Sequence, residues 1–397
     1  MNALISSRER LEHLLSEPLA VAREREQHTL EEKIGGLNRD FILFGAGNLG
    51  RRALTKLRQM GREPVAYMDN DPALWGTKIL DVPVLSPAES AKRFDPAQVG
   101  VITTIWSGEA TSSMRDRIGP VQQLGFSRIA LFGHLAWRFP ATFLPHYSLD
   151  LPSKVIAQAE RIRAAFDLIS DEASGRTFVN HIEWRLFLDY DLLPPSAPEL
   201  IYFDKAFSNT SSVEVLYDIG AYTGDSTEDF LASERGRAFA QIHSFEPTAA
   251  SFAKLQAYVS TLGQLCGKVF AHQLALGDQK GSIQVESDHG PAARVGRGEE
   301  TVALTTIDEF GKRFAPPTFI KIDIEGFEPK CLAGAQNTIA GTAPMIAVCV
   351  YHLQSHLWDV LLQLHGYCPD YSYRYGQHLA DGWDLVLYAV PKNRLPV

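Results

Sequence analysis

Short apolar runs that end in glycine or an acidic residue alternate with helical segments in two separate stretches of the chain. The first stretch contains the runs FILFGAGNLG (41–50), PVAYMDNDP (64–72), GVITTIW (100–106) and SRIALFG (127–133). Strands that alternate with helices indicate a parallel sheet with helical crossover connections. We therefore predict a short Rossmann-like α/β domain over residues 36–148.

Helical segments lie before and after this first domain. Residues Ser6 to Lys33 are rich in Glu, Arg and Leu at helical spacing, which predicts one amphipathic helix within 1–35 that stops at Gly35 and Gly36. The helix either joins the subunits of a homo-oligomer or packs on its own domain. Residues 149–198 are helical and poor in strands, and they end at the prolines of PPSAP. They predict a helical connector.

A second alternating series occupies residues 199–397. Its apolar runs are VEVLYDIGAYTG, QIHSFEP, KVFAHQLALGD, TFIKIDIEG and PMIAVCVYH, followed by YSYRYGQ and WDLVLYAVP as an antiparallel pair. A hairpin with a long polar loop separates the third run from the fourth. The predicted fold class is therefore α/β, with two Rossmann-like units joined by a helical connector.

Composition narrows the function classes. A net charge of -9 without any Lys/Arg-rich run argues against a nucleic-acid partner. No apolar stretch is long enough to span a membrane, and the N-terminus lacks the features of a signal peptide, so we expect a cytoplasmic protein. The 4 cysteines are far apart in the sequence, which argues against a zinc site or a disulfide framework.

Candidate ligand-binding residues follow the strands of the second domain, because open parallel sheets bind ligands beyond the carboxyl ends of their strands. Asp218 ends the first strand, and Gly220 and Gly224 form the turn into the next helix. Glu246 ends the second strand, where an acid can bind both ribose hydroxyls. Asp278 ends the third run, and either Asp278 or the nearby backbone is a candidate contact for an adenine, although an acid at the start of a hairpin turn is also common. This pattern predicts a ligand that contains adenosine.

These residues resemble a known family. The segments YDIGAYTGDS, HSFEPT, ALGDQKG, TTIDEF, IKIDIEGFEPKCLAGA and the late YHLQSHLWDVLLQL, YSYRYG and WDLVLYA are similar to FkbM-type methyltransferases over about residues 202–391. The resemblance implies a class I methyltransferase fold, S-adenosylmethionine as cofactor and, in most members, O-methylation. It assigns Asp218, Gly220 and Gly224 to the methionine end of the donor, Glu246 to the ribose, and Asp323 to the tip of the fourth strand.

Methyl transfer to a hydroxyl requires alignment of the acceptor and removal of a proton. The candidates for the base are Asp323, Glu325 and His352; we prefer His352, whose ordinary pKa of ~6.5 suits neutral pH. Asp323 is alternatively a ligand for the donor's amino group. The same three residues have metal-ligand chemistry, but no spacing in the sequence favours a metal, and none is expected. Two arginines of the polar loop, Arg294 and Arg297, are candidates to clamp an anionic acceptor, although a solvated loop explains them as well.

The first domain contains a possible second nucleotide site. Gly45, Gly47 and Gly50 follow a strand and open a helix, and Asp69 comes 19 residues after Gly50, as in dinucleotide-binding folds. The following stretch DNDPALWGTKILDVPVLSP resembles nucleotide-binding-like domains of sugar-modifying enzymes, including acyltransferases of glycan biosynthesis. It implies NAD(P), a nucleotide sugar, or no ligand.

Three hypotheses follow from these observations. The first is a methyltransferase that acts on a sugar, a glycan precursor or another small-molecule hydroxyl. The second is an enzyme that uses NAD(P) or a nucleotide sugar in the first domain. The third is a non-catalytic binding module, which has no need to keep both glycine turns together with their acids.

Overall fold

A computed structural model describes residues 6–106, 112–194, 201–203, 209, 213–285 and 298–395. The chain divides into two compact units. Unit 1 comprises Met1–Ala159, Val179–Ser196 and Leu379–Gly382, and unit 2 comprises Glu160–Phe178, Ala197–His378 and Trp383–Val397. The predicted connector contributes to both units, and the sequence-derived domain boundaries stay predictions.

Unit 1 is built on a six-stranded sheet in the order β3-β4-β2-β1-β5-β6. Its strands are β1 (Phe41–Phe44), β2 (Ala66–Met68), β3 (Lys78–Ile79), β4 (Val82–Leu85), β5 (Gly100–Thr103) and β6 (Ile129–Ala130). Its helices are α1 (Ser7–Leu15), α2 (Leu19–Ile34), α3 (Asn48–Gln59), α4 (Pro87–Arg93), α5 (Met114–Gln123), α6 (Phe132–Arg138), α7 (Pro140–Phe143) and α8 (Pro152–Ala157). All pairs are parallel except the hairpin of β3 and β4, which the sequence pattern did not reveal.

The single N-terminal helix predicted from the sequence is wrong. The structure has two helices there, α1 and α2, and Pro18 is the N-cap of the second. Proline has no backbone N–H and its ring clashes with the preceding turn, so the helical spacing of side chains continues across a break in the backbone. The predicted stop is confirmed, because Gly35 caps α2 in the left-handed conformation with φ 78°.

Helices α9 (Ala159–Phe166) and α10 (Glu172–Phe187) follow, and the division between the units falls at α9 and within α10. Unit 2 then forms a seven-stranded sheet in the order β15-β16-β14-β13-β7-β8-β9. Its strands are β7 (Glu214–Ile219), β8 (Phe239–Phe245), β9 (Val269–His272), β13 (Phe319–Ile322), β14 (Met345–Cys349), β15 (Tyr371–Gln377) and β16 (Leu385–Pro391). β16 runs antiparallel to both of its neighbours, β14 and β15, and the other pairs of this sheet are parallel.

Helices connect the strands of this sheet: α11 (Asp225–Ala232), α12 (Ala249–Ser260), α13 (Ile307–Phe310), α14 (Glu328–Ala333), α15 (Gln336–Thr342) and α16 (His356–Tyr367). Every residue of β7, β13 and β14 is buried, as in central strands of a sheet covered on both faces. The predicted α/β class and the parallel sheets are thus confirmed. In the parts of the chain that the structure describes, no helix combines the length and the apolarity needed to cross a membrane.

A separate three-stranded sheet consists of β10 (Ala275–Leu276), β11 (Gly281–Val285) and β12 (Glu300–Thr305). The predicted hairpin is formed by β11 and β12, and its loop residues Arg294 and Arg297 lie outside the described residues. The run that was predicted as one third strand is two strands, because β9 ends at His272 and β10 belongs to this smaller sheet. Asp278 therefore lies between β10 and β11 of the smaller sheet and is exposed.

The glycine turn of unit 1 generates a test of its packing. A Cβ on Gly50 would lie well under 3.0 Å from the backbone oxygen of Gly45, whereas one on Gly47 would meet no atom within 4 Å. We expect Gly50→Ala to lower the free energy of unfolding by about 1–3 kcal/mol through this steric overlap. Gly47→Ala is the matched control, with an expected change below about 0.5 kcal/mol in urea denaturation. Equal effects of the two variants would contradict the close packing of β1 against α3.

Candidate active site

The carboxyl ends of the parallel strands of unit 2 surround a cavity. The strand order reverses between β7 and β13, which is where open α/β sheets bind ligands. The cavity is lined by residues at the tips of β7, β8 and β13 and in other segments of the same chain. They are Tyr202, Gly220, Tyr222, Asp225, Ser226, Glu246, Pro247, Thr248, Val285, Lys321, Asp323, Ile324 and Glu325. Four of the predicted site residues belong to this set, and they are Gly220, Glu246, Asp323 and Glu325.

Asp218 lies beneath the cavity instead of lining it. Its side chain is fully buried, and its Oδ2 accepts hydrogen bonds from Ser226 (2.7 Å) and Thr227 (2.9 Å). Its Oδ1 is 3.2 Å from Nζ of Lys321 on the neighbouring strand. Burial alone would lower the pKa of Lys321, but Asp218 and the nearby carboxylates outweigh it and raise the pKa, so this lysine stays charged. The predicted direct contact of Asp218 with a ligand is therefore replaced by an ion pair that positions Lys321.

Gly220 and Gly224 shape the turn from β7 into α11. Gly220 has φ 79°, and a Cβ there would overlap the backbone oxygen of Asp323. Gly224 has φ 100°, is the N-cap of α11, and leaves room only for the ring of Tyr258. Both positions need glycine for backbone conformation and for close approach. Gly220 lines the cavity, whereas Gly224 does not line it and lies where the turn enters α11.

Glu246 stands at the tip of β8 with both oxygens anchored. Oε1 accepts hydrogen bonds from the backbone N–H (3.0 Å) and the hydroxyl (2.6 Å) of Thr248, and Oε2 accepts one from the N–H of Tyr222 (3.1 Å). Burial raises the pKa of Glu246, although these hydrogen bonds oppose the shift. The carboxylate is thus held rigidly at the cavity, as a residue that binds a ribose must be.

Asp323 and Glu325 follow β13, but they do not continue its alternation. The strand ends at Ile322, and Glu325 (φ 55°) and Gly326 (φ 102°) turn the chain in the left-handed region. A non-glycine residue in this conformation is strained, and such strain concentrates at functional sites.

Tyr202 fixes the carboxylate of Asp323. Its hydroxyl donates to Oδ2 of Asp323 at 3.0 Å. Burial and the neighbouring Asp323 raise the pKa of Tyr202 well above its ordinary value, so the phenol keeps its proton and remains a donor. Its ring also lies 5.2 Å from Nζ of Lys321.

His352 follows β14 and is enclosed by carboxylates. Its Nδ1 is 2.8 Å from Glu328, and its Nε2 is 3.4 Å from Asp323 and 3.6 Å from Glu325. Burial would lower the pKa of the imidazole, but Glu328 and Glu325 outweigh it and raise the pKa well above the ordinary value. The ring therefore holds a proton at neutral pH, which argues against the predicted role of His352 as the general base.

Four residues of this region were not assigned from the sequence: Tyr202, Lys321, Glu328 and Asp384. Glu328 is fully buried at the start of α14, and its Oε1 accepts from the backbone N–H groups of Ile324 (3.0 Å) and Gly326 (3.2 Å). Asp384 precedes β16, and because that strand is antiparallel, its first residues lie at the edge where the parallel strands end. Burial raises the pKa of Asp384 most, the negative charge of Asp323 raises it further, and the pKa reaches about 6. Attention to strand beginnings on antiparallel strands would have found Asp384.

The candidate residues of unit 1 also lie together. Gly45 has φ 112°, and the glycine turn leads from β1 into α3. Asp69, at the tip of β2, accepts a hydrogen bond from the N–H of Ala46 at Oδ2 (2.7 Å) and one from Asp71 at Oδ1 (2.8 Å). The structure thus brings Gly45, Gly47, Gly50 and Asp69 to one end of the sheet, with Asp69 bonded to the turn.

Comparison with known families agrees with the geometry of unit 2. The family model of the methyltransferase FkbM domain matches residues 218–375. These residues contain the β7 turn, the β8 tip, the β13 tip and His352. The chain thus carries an FkbM-type methyltransferase domain and is a methyltransferase, and the family implies S-adenosylmethionine as the methyl donor.

One solved structure shows a similar fold over nearly the whole chain, and two others match only part of it. A methyltransferase FkbM from Methylobacillus flagellatus KT is 18% identical, covers 96% of this chain and 98% of its own, and has a TM-score of 0.76. A putative rRNA methylase from Clostridium thermocellum is 12% identical over 51% of this chain and 99% of its own, with a TM-score of 0.32. A UDP-D-quinovosamine 4-dehydrogenase from Vibrio fischeri is 19% identical over 23% of this chain and 75% of its own, with a TM-score of 0.19. A search of curated proteins found no match.

The buried pair beneath the cavity gives a test of its contribution to stability. We expect Lys321→Met to lower the free energy of unfolding by about 3–5 kcal/mol, because it leaves the charge of Asp218 buried without its cation. The matched control is Lys392→Met, which breaks an exposed pair with Asp370 and should leave stability essentially unchanged. Urea denaturation measures both. A Lys321→Met variant as stable as the control would show that the buried pair does not stabilise the fold.

Proposed function

We propose that unit 2 binds S-adenosylmethionine in the cavity at the tips of β7, β8 and β13 and methylates a hydroxyl of a sugar, a glycan precursor or another small molecule. The observation that carries the proposal is the position of Glu246 beside the Gly220 turn, where both residues line the cavity. A side chain at Gly220 would overlap the backbone oxygen of Asp323, so glycine is needed for the turns after β7 and β13 to come together. An acid and a glycine turn at neighbouring strand tips match what an adenosine ligand needs.

The cavity residues suggest how each part of the donor is held. Glu246 is placed to accept hydrogen bonds from the ribose hydroxyls. The amino group of the methionine end requires an acceptor, which Asp323 offers. The carboxylate of the same end requires a cation, and Lys321 is the charged lysine of the cavity, oriented by Asp218 and by its hydrogen bond to the carbonyl of Gly220 (2.6 Å). Asp218 therefore acts on the donor through Lys321.

The reaction requires no covalent intermediate with the protein. When bound, S-adenosylmethionine would supply a methyl group for in-line transfer to an acceptor oxygen, with the sulfur leaving as a neutral thioether. The chain's residues align the two groups and hold the proton that the hydroxyl loses. The carboxylate of Glu325 lines the cavity and is available for that proton, whereas the imidazole of His352 already carries one.

Glu246 gives the direct test of the donor site. We expect Glu246→Gln to weaken binding of S-adenosylhomocysteine by roughly 10- to 100-fold, because each lost charge-assisted hydrogen bond is worth about 1.5–3 kcal/mol. Isothermal titration calorimetry measures the affinity. The control is Asp370→Asn, an exposed carboxylate outside the cavity, which should leave the affinity within about twofold. Absence of binding to the unsubstituted chain, or an unchanged affinity in Glu246→Gln, would reject the proposed donor site.

A nucleotide site in unit 1 is the second candidate function, and one hydrogen-bond pattern favours it. Asp69 bonds the N–H of Ala46 in the glycine turn and the N–H two residues after itself. Glu246 bonds the N–H of Tyr222 in its own turn and the N–H of Thr248, again two residues on. The shared pattern supports a ribose-binding role for Asp69, with the pyrophosphate of NAD(P) or of a nucleotide sugar at the N-terminus of α3.

This site is tested with NADH and with UDP-glucose as probes. We expect one of them to bind the unsubstituted chain and Gly47→Trp to abolish that binding, because the indole occupies the open side of the turn. S-adenosylhomocysteine affinity should be unchanged in the same variant. If neither probe binds at millimolar concentration, or if Gly47→Trp binds as well as the parent, unit 1 does not use its turn for these nucleotides.

A further inference from the structure

The carboxylates around His352 form a compact, buried set of metal-ligand groups. Asp323, Glu328 and His352 each present one ligand atom, and these atoms lie within 4.8 Å of one another. Glu328 is fully buried and His352 is only 3% exposed. Glu325 brings a further oxygen to 3.6 Å from Nε2 of the imidazole. Imidazole together with carboxylate oxygens is a common ligand set for divalent first-row metals.

The distances at Nε2 fit ligands of a common ion better than direct hydrogen bonds. Charge-assisted N–H···O bonds measure about 2.7–2.9 Å. Nε2 is 3.4 Å from Asp323 and 3.6 Å from Glu325. Two ligands that each bind one ion at about 2.1 Å are separated by roughly 3 to 4 Å, depending on the bond angle. The groups are thus spaced to admit an ion with small side-chain adjustments.

The backbone holds the set in place before any cation arrives. The carboxylate of Glu328 is anchored by the N–H groups of Ile324 and Gly326, in the same turn that carries Asp323 and Glu325. The left-handed conformation of Glu325 directs its side chain to the cavity, which Asp323 also lines. Pre-positioned ligands on a fixed turn are what a metal site requires.

The charge balance also calls for a cation. Asp323, Glu325 and Glu328 contact the imidazole of His352, and Glu328 also lies 3.3 Å from Nδ1 of His356, so three carboxylates share two imidazoles. Lys321, the lysine of the same cavity, is paired with Asp218. Buried carboxylates are costly unless they are paired or coordinate a metal. A proton on the imidazole offsets one negative charge, and a divalent ion in its place offsets two.

We propose that Nε2 of His352, Asp323 and Glu325 bind one divalent cation of the Mn²⁺ or Mg²⁺ type, while Glu328 orients the imidazole from Nδ1. Binding would release the proton on Nε2 to solvent. An acceptor hydroxyl on the ion would lose its proton to solvent more readily, so that no histidine base would be needed. This catalytic role rests on the proposed methyltransferase site, whereas cation binding itself does not. The acceptor class it favours has two neighbouring hydroxyls that bind one ion together, as sugars do.

Mn²⁺ is the probe for the test, added alone to the full chain. We expect one bound ion by electron paramagnetic resonance titration, with a nitrogen coupling in its pulsed spectrum from the imidazole. Asp323→Asn and His352→Gln should each weaken Mn²⁺ binding by at least roughly tenfold, and His352→Gln should abolish the nitrogen coupling. Asp278→Asn, an exposed carboxylate outside the set, should bind Mn²⁺ like the parent. Circular dichroism establishes that each variant is folded.

The outcomes separate this proposal from the donor site. Failure of the unsubstituted chain to bind Mn²⁺, absence of a nitrogen coupling, or equal Mn²⁺ affinity in the variants and in Asp278→Asn overturns the cation site. These results are obtained on the unsubstituted chain as well, so an unfolded variant does not leave the question open. S-adenosylhomocysteine calorimetry without metal is run in parallel. Donor binding without Mn²⁺ binding rejects the cation site alone, and the reverse rejects the donor site alone.

Discussion

The contact between the tips of β7 and β13 is the constraint on which the active site of unit 2 depends. Asp218 and Lys321 are paired across these strands, and both side chains are buried. Lys321 also donates to the carbonyl of Gly220, whose missing side chain lets the backbone of Asp323 approach. One buried ion pair therefore fixes the turn of the first strand and the turn of the fourth relative to each other. Every group proposed to touch the methyl donor is attached to one of these turns or to the adjacent tip of β8.

This arrangement explains why the edge of the sheet is acidic without being unstable. The carboxylates at the strand tips have distinct partners: Ser226, Thr227 and Lys321 for Asp218, backbone N–H groups for Glu246 and Glu328, and a tyrosine hydroxyl for Asp323. Hydrogen bonds from the backbone hold a carboxylate without neutralising it. The cavity thus keeps negative charge facing a donor whose sulfonium and amino group are positive. The same charge makes a second, cationic occupant near His352 favourable.

Sequence patterns predicted most strands of both sheets and four of the residues that line the cavity, because the period of apolar residues and the residues that end a strand are local properties. Gly220, Glu246, Asp323 and Glu325 reach the cavity as expected from their places at strand tips. The sequence pattern did not predict contacts between residues that are distant in the sequence and close in space. The ion pair of Asp218 with Lys321 and the three carboxylates around His352 bring together residues from different strands, and together they set the protonation of the imidazole.

Breaks inside apolar runs were a second source of error. Asp278 was assigned to the third strand because KVFAHQLALGD was interpreted as one run, yet the chain leaves the central sheet at His272. Pro18 likewise interrupts a helix whose side-chain spacing is uninterrupted. In the first case the change of sheet is evident only from the pairing of β10 with β12, which no local sequence pattern indicates. In the second case the proline was visible, and its missing N–H is a stronger signal than helical spacing.

The two units use the same device at the start of their sheets. In each, an acid at the second strand tip bonds one N–H of the glycine turn after the first strand and the N–H two residues beyond itself. Two fixed N–H donors occupy part of a carboxylate's capacity of about four hydrogen bonds and leave the rest for a ligand's hydroxyls. Simple turn stability does not require an acid to reach back from the second strand. The recurrence is the observation that supports the proposed ribose-binding roles of Glu246 in unit 2 and Asp69 in unit 1.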